Sequence, residues 1–402
     1  MISALPRPRA VIVCGALIVT LAMGVRQAFG LYLPQMSASL DIGRGEVGLA
    51  LAIQNLLFGL VQPWVGAMAD RHGAGRVLML GTVFYAAGLI AASTATSALG
   101  IYLSLGAMVG MGLAGTTFVV VLGVAGRVVP PEHRGLAFGL ITAGGSLGQF
   151  LIVPLGQMLL VELGYRIALI VLAGAVALCL PLALGLRGTP TPTPAGVPGV
   201  QQTLCEALGE AGKHRGYWLL NAGFFVCGFN IAFIATHFPA YLSDRGLGLA
   251  IGASALALVG LFNIFGSYAF GVGGDRWRKK YLLSGIYGAR ALVIAVFLAL
   301  PLTSTSALVF AAAMGFLWLG TVPLTSGLVS QIFGTRYLST LYGIVFLSHQ
   351  VGSFFGAWLA GYAFDRSGNY DFAWAASIAL GIAGMLLHLP LRDRPVPRLR
   401  AA

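Results

Sequence analysis

Gly66-Ala-Met-Ala-Asp70-Arg71-His72-Gly73-Ala-Gly-Arg76 is a tight, glycine-bearing turn, basic on balance, set between two long apolar runs. A second version stands 205 positions later as Gly271-Val-Gly-Gly-Asp275-Arg276-Trp277-Arg278-Lys279-Lys280. Each closes an apolar hairpin, so the pattern occurs twice in one chain. The repeat extends outward from the turns. Phe138-Gly139-Leu-Ile-Thr-Ala-Gly-Gly-Ser-Leu-Gly148 aligns with Tyr342-Gly343-Ile-Val-Phe-Leu-Ser-His-Gln-Val-Gly352 at an offset of 204, and Pro34 aligns with Pro239 at 205.

The runs on either side are too apolar for a water-facing protein. Hydrophobic residues make up 58% of the 402 and charged residues 9%, against roughly 25% charged in an ordinary soluble domain. Twelve apolar runs separate the polar breaks, at 11 to 34, 46 to 69, 77 to 97, 100 to 125, 135 to 160, 166 to 186, 217 to 240, 251 to 273, 281 to 300, 306 to 332, 340 to 364 and 371 to 391. Each is near the ~20 residues that carry a helix across ~30 Å of hydrocarbon. Lipid admits only helices or closed barrels, and unbroken runs predict helices. The first run follows Arg7 and Arg9 but is longer than the core of a signal peptide and lacks a small-residue cleavage site, so it is expected to remain as the first span.

The net charge of +12 would suggest nucleic acid in a soluble protein. Its placement gives another reason. With loops assigned alternately to two sides, 18 of the 24 Lys and Arg fall on one side, among them Arg71, Arg76, Arg127, Arg134, Arg276, Arg278, Lys279 and Lys280. The positive-inside rule makes that side, and both termini, cytoplasmic. Arg26 and Arg290 fall inside spans. Cys14, Cys179, Cys205 and Cys227 show no CxxC spacing and no paired His, which predicts neither disulfide nor metal site. No cofactor and no nucleic-acid partner are expected.

Residues 187 to 215 lie between the two copies and include Thr189-Pro-Thr-Pro-Thr-Pro194. Alternate prolines cannot form a helix, so an extended linker is expected, followed by a short amphipathic segment over Gln201 to Ala211. The chain thus reads as 1–186, a six-span bundle; 187–215, a cytoplasmic linker; and 216–402, a second six-span bundle.

This organisation, with Gly-xxx-Asp-Arg after the second span and a weaker copy after the eighth, resembles the major facilitator superfamily over essentially the whole chain. The first turn carries the resemblance at Gly66, Asp70, Arg71, Gly73 and Arg76; in the second, Arg278 replaces a glycine. The resemblance implies an all-α membrane fold of twelve transmembrane helices in two six-helix bundles around a midplane cavity that opens to each side in turn. It implies a monomeric multi-pass transporter of a bacterial-type cytoplasmic (inner) membrane, in contact with membrane lipids, and not an enzyme.

Asp70 ends a helix where a carboxylate needs a partner, with Arg71 and Arg76 within reach, and Gly73 permits the reversal. Together with Gly66, Asp275 and Arg276 these residues are expected to form a conformational latch; the alternative is that they fix only loop geometry. Gly106 and Gly110, Gly144 and Gly148, and Gly352, Gly356 and Ala360 follow small-xxx-small spacing, which predicts close helix packing.

All twelve acidic residues lie in loops or at span ends. A buried counter-ion for a cation is missing, which disfavours a cationic substrate. Arg26, in Gly24-Val-Arg26-Gln27, lies about fifteen residues into its span, hence ~22 Å along it. Its guanidinium must face protein or a wet cavity, and a carboxylate is its natural partner; holding backbone carbonyls is the alternative. Arg290 is also near mid-span, and there the structural alternative weighs more. His349 with Gln350 lies mid-depth in the eleventh span and could donate to an anion or take up a proton. Further candidate substrate contacts are Gln54, Asn55, Thr116, Gln149, Asn230, Asn263 and Trp318. Any of these could instead bond helix to helix.

The first span, Gly-Val-Arg26-Gln-Ala-Phe-Gly-Leu-Tyr-Leu-Pro34, and the eleventh are similar to the monocarboxylate and oxalate/formate transporters of that superfamily. That group commonly carries Asp and Arg one turn apart in the eighth span, where Asn263 and Ser267 stand here. Arg26 or Arg290 would have to replace the missing arginine. The expected function is secondary transport of a small organic anion, a monocarboxylate in particular, by symport or antiport. Coupling is expected by exchange, by a proton on the substrate or through His349. The alternative is an exporter of drugs or amphipathic compounds. An intramembrane enzyme is disfavoured because His349 has no acid partner or second metal ligand at depth.

Overall fold

The computed structural model describes residues 8–187, 202–247 and 249–400, and these are helical throughout apart from short connections. The proline-bearing part of the 187–215 linker lies outside the described residues. The helices in order are α1 (Pro8–Leu40), α2 (Arg44–Leu60), α3 (Gln62–His72), α4 (Ala74–Thr94), α5 (Ala98–Ile101), α6 (Val109–Thr116), α7 (Phe118–Val128), α8 (Arg134–Ala177) and α9 (Cys179–Leu184). Then come α10 (Leu204–Lys213), α11 (Arg215–Asp244), α12 (Leu249–Arg276), α13 (Lys279–Ala299), α14 (Ser304–Phe316), α15 (Thr321–Phe333), α16 (Leu338–Ser367), α17 (Asp371–His388) and α18 (Pro397–Arg400).

Among the described residues, ten helical stretches are long and apolar enough to cross a membrane, or eleven if α2 and α3, bent by 45°, are one crossing. The bend falls at Val61, two residues before Pro63, which has no N–H to continue the ladder. The longest stretch, Pro131–Leu184, runs 54 residues and contains Gly164 at φ 73°, a conformation that breaks the helix. Large apolar side chains stay exposed on these helices, among them Leu56, Leu103, Val161, Leu292 and Val309, as a lipid-facing surface requires. The expected amphipathic segment is α10, started by a reciprocal cap in which Thr203 accepts from Glu206 N and the Glu206 carboxylate accepts from Thr203 N.

The chain forms two compact units. The first comprises residues 1–130, 144–195 and 336–343, the second 131–143, 196–335 and 344–402. In the first, α1 and α8 approach so closely that a Cβ at Gly148 would strike the Thr20 carbonyl, and Thr20 Oγ1 donates to Gly144 O at 2.8 Å. In the second, α11 and α16 repeat this arrangement, with Gly352 against the Phe225 carbonyl and Gly356 against that of Phe229. The small-xxx-small spacing therefore does packing work in both. An aromatic core fills the second unit, with Phe297 and Phe310 stacked at 4.3 Å and Phe233 edge-on to Trp374 at 4.8 Å.

Candidate functional site

In the first unit, α1 carries Arg26 to the side of α2. Its guanidinium donates to Asn55 Oδ1 and lies over the Phe58 ring, 5.5 Å from the centroid. Asn55 is held in turn by its own amide, which donates to Leu51 O at 2.9 Å. Arg26 is half-buried, Gln27 and Asn55 are exposed, and no carboxylate pairs with Arg26 among the described residues. One neutral acceptor leaves most of its five N–H donors for something else. This is a fixed cation in an apolar helix, short of a counter-ion.

The neighbouring candidates are differently engaged. Buried Gln54 donates Nε2 to Leu105 O at 3.0 Å, inside the π-helical segment Tyr102–Met108 that joins α5 to α6. Such wider turns occur mostly as single-turn bulges inside α-helices. Thr116 bonds back to Gly112 O at 3.0 Å just before the helix breaks at Thr117, whose Oγ1 accepts from Gln62 at 3.2 Å. Gln149 on α8 is partly exposed.

In the second unit a span is interrupted. α14 ends at Phe316 and α15 starts at Thr321, and the backbone groups between them need partners that lipid cannot give. Arg290 on α13, fully buried, supplies donors: Nε and Nη2 reach Leu317 O at 3.2 and 2.6 Å, and Nη2 reaches Trp318 O. Asn263 on α12 supplies the acceptor, taking Leu319 N at 2.9 Å and Ser267 Oγ at 3.1 Å. Nη1 of Arg290 points to Cys227 Sγ at 3.4 Å, and Cys227 meets Thr321 Oγ1 at 3.2 Å. Three candidates, Asn263, Arg290 and Trp318, therefore converge on one broken helix and close its hydrogen bonds.

His349 on α16 sits between Phe224 and Phe346, ring centroids 4.9 and 5.5 Å away, with Nδ1 against Gln350 Oε1 at 3.1 Å and Ser353 Oγ at 3.4 Å. Asn230 on α11 is fully buried, and neither atom of its amide has a partner in the protein among the described residues. An unbonded buried amide is costly unless something polar reaches it.

The two turns do similar work on helix starts. Asp70, at the end of α3, accepts from Ser339 N at 3.3 Å, Thr340 N at 2.7 Å and Thr340 Oγ1 at 2.8 Å, in the first turn of α16. Those are the N–H groups a helix cannot satisfy internally, and the dipole there favours a carboxylate. Gly66 makes the approach possible, since a Cβ would meet the Ser339 carbonyl, and Gly73 at φ 91° turns the chain into α4. The ion-pair partner of Asp70 is Arg127 at 2.6 Å, at the end of α7, while Arg71 and Arg76 are exposed. In the second unit Asp275 accepts from Gly135 N at 2.7 Å and Leu136 N at 2.8 Å, the first turn of α8, and Arg276 is exposed. The charge pattern of the sequence puts Arg127 on the same side as Arg71 and Arg76, but at 57 residues from Asp70 it carries no local sign of their pairing.

Comparison with known proteins agrees with this architecture. The model of the Major Facilitator Superfamily matches residues 15–357. Monocarboxylate transporter 13 of Rattus norvegicus is 29% identical over 385 residues, covering 92% of this chain and 86% of that protein. Monocarboxylate transporter 11 of Homo sapiens is 27% identical over 384 residues, covering 92% and 80%. Among solved structures, the E. coli fucose:proton symporter FucP superposes with a TM-score of 0.74 at 15% identity, covering 96% of this chain and 100% of that one. The proton:xylose symporter XylE gives 0.78 at 15% identity, covering 98% of each. Relatives and fold are those of transporters and not of enzymes. The chain is a multi-pass membrane protein and belongs to the Major Facilitator Superfamily.

Proposed function

We propose that this protein is a secondary active transporter that moves a small organic anion, a monocarboxylate in the first instance, by alternating access. The observation that carries the reading is Arg26, a mid-span guanidinium that, among the described residues, meets one neutral amide and no carboxylate. A desolvated guanidinium with spare donors is matched by a carboxylate, which takes two parallel hydrogen bonds from it. The names of the monocarboxylate transporter relatives support the same class.

The stretch broken at Gly164 counts as two crossings, which gives twelve in two six-helix halves, 1–186 and 216–402, around the 187–215 linker. The charge bias supports cytoplasmic termini, and the membrane is assigned as a bacterial-type inner membrane. Arg26 is the anion anchor, supported by Asn55 and Gln149 in the first unit. Asn230 and Gln350 are assigned to substrate contact in the second, and His349 to proton coupling. Gln54, Thr116, Asn263, Trp318 and Arg290 hold the helices that carry these groups. Asp70 and Asp275, with Gly66, Arg71, Gly73, Arg76 and Arg276, form latches that hold one conformational state.

The test is thermal stabilisation of the detergent-purified protein by a panel of organic acids and amphipathic cations, since a ligand of the folded state raises its apparent stability. A carboxylate is expected to stabilise the wild type and not Arg26→Gln. Stabilisation by amphipathic cations alone would overturn the reading in favour of an exporter.

A further inference from the structure

Beyond α17 the chain runs as a strap across one end of the second unit. Three prolines, at 390, 395 and 397, keep it from closing into a longer helix. Side chains and backbone tie it down: Val396 N donates to Ile332 O at 3.0 Å, Gln331 to Asp393 O at 2.8 Å, and Arg398 pairs with Glu210 of α10 at 3.3 Å. Under the strap lies a cavity of about 560 Å³ lined by His214, Arg278, Lys280, Arg392, Asp393 and Arg394, among others.

Among the described residues four permanent cations line that space against one carboxylate, and pairing of that carboxylate with Arg278 leaves Lys280, Arg392 and Arg394 without a counter-charge there. Asp393 takes two hydrogen bonds from Arg278, at 3.0 and 2.7 Å. Lys280 is 8% exposed, and Leu389 O and Leu391 O hold its ammonium at 3.0 and 3.1 Å, so a positive charge is fixed in the wall. Arg392 and Arg394 are exposed. The Tyr281 ring lies 5.1 Å from the Arg278 guanidinium and 5.0 Å from the Lys280 ammonium, ordering both. Trp218, Trp277 and Tyr281, each next to or within four residues of a lining residue, are all more than half exposed. Exposed Trp and Tyr at the ends of apolar helices mark the headgroup level of a bilayer.

We propose that this cavity binds a phosphate-bearing anion, either the headgroup of an anionic phospholipid or free phosphate. Basic pockets at helix ends at this depth suit headgroups, and three cations beyond the Arg278–Asp393 pair match a phosphate's several oxygens better than a lone carboxylate. The site is separate from Arg26 and does not depend on what is transported.

The experiment uses the purified full chain and reads apparent Tm while titrating dioctanoyl phosphatidylglycerol, dioctanoyl phosphatidylcholine or inorganic phosphate. Phosphatidylglycerol is expected to stabilise the protein and phosphatidylcholine to leave it unchanged. In Arg392→Gln/Arg394→Gln, whose side chains are exposed, half-stabilisation should require at least tenfold more phosphatidylglycerol. Arg392→Lys/Arg394→Lys should restore it. Stabilisation by inorganic phosphate that the double Gln variant loses assigns the site to free phosphate. Equal response to both lipids, or an unchanged response in the double Gln variant, overturns the proposal.

Discussion

Arg26 and Arg290 are both guanidinium groups near the middle of apolar helices, one in each unit, and they are used in opposite ways. Arg290 is fully buried, and its donors end on the carbonyls of a broken helix and on a thiol. Arg26 is half-buried and meets a single amide oxygen. Position in the sequence does not separate them. What separates them is whether the neighbouring backbone is already satisfied. Next to Arg290 it is not, and the arginine repairs it; α2 beside Arg26 is a continuous helix at that level and needs nothing.

The sharpest way to break this comparison is to remove each charge. Arg290→Met leaves the Leu317 and Trp318 carbonyls unbonded at about 1–3 kcal/mol each, so the variant should lose about 2–6 kcal/mol and fail to purify as a monodisperse species. If it stays folded with wild-type Tm and loses only uptake, Arg290 belongs with Arg26 and the contrast collapses. Arg26→Gln should keep the wild-type Tm to within a few degrees while uptake falls by about 10- to 100-fold, the loss of a charge-assisted hydrogen bond worth about 1.5–3 kcal/mol. Wild-type uptake in that variant would make both arginines structural.

A smaller difference separates the two turns. Asp70 caps a helix start and also pairs with Arg127, whereas Asp275 caps a helix start through backbone N–H groups. Gln331 stands 204 positions after Arg127, so the second turn lacks an arginine at the matching place. Asp70→Asn strands a partly buried arginine besides weakening a cap; Asp275→Asn weakens only a cap, for which about 0.5–2 kcal/mol is usual. Asp70→Asn should therefore lower apparent Tm more than Asp275→Asn. Equal losses would mean that Arg127 contributes nothing beyond the cap.

Much of the fold was legible because lipid leaves few options. Apolar runs had to be helices, Gly148 and Gly352 had to be contact points at their spacing, and the Asp70 turn had to satisfy a carboxylate. The site was less legible. The break between Phe316 and Thr321 falls in an apolar run, Leu-Trp-Leu-Gly, and its local trace is Pro323, which cannot continue the ladder through the turn before it. The groups that close the break, Asn263 and Arg290, stand on two other helices, and only tertiary packing brings them to it. The pairing of Arg127 with Asp70 was hidden for a related reason, since each lies at the end of a different helix and only tertiary packing brings them together.

Arg278 supplies the exposed limit of the series that starts with Arg290 and Arg26. Its guanidinium forks onto Asp393 with two hydrogen bonds, and those bonds hold the Asp393 carboxyl below its ordinary range. A carboxyl depressed in the folded state stabilises above its unfolded pKa of about 3.9 and loses that contribution as pH falls through the lower, folded value. The Arg278 side chain is 55% exposed, so solvent and salt screen most of the attraction. Asp393→Asn should therefore lower apparent Tm at neutral pH by no more than about 2 °C, and the gap from wild type should close as pH drops below about 4. A gap that persists at low pH would mean that the Asp393 side chain holds the strap by something other than its charge, since the bond from Gln331 to the Asp393 main-chain carbonyl is the same in both proteins. A gap as large as that of Arg290→Met would mean that burial does not rank these arginines at all.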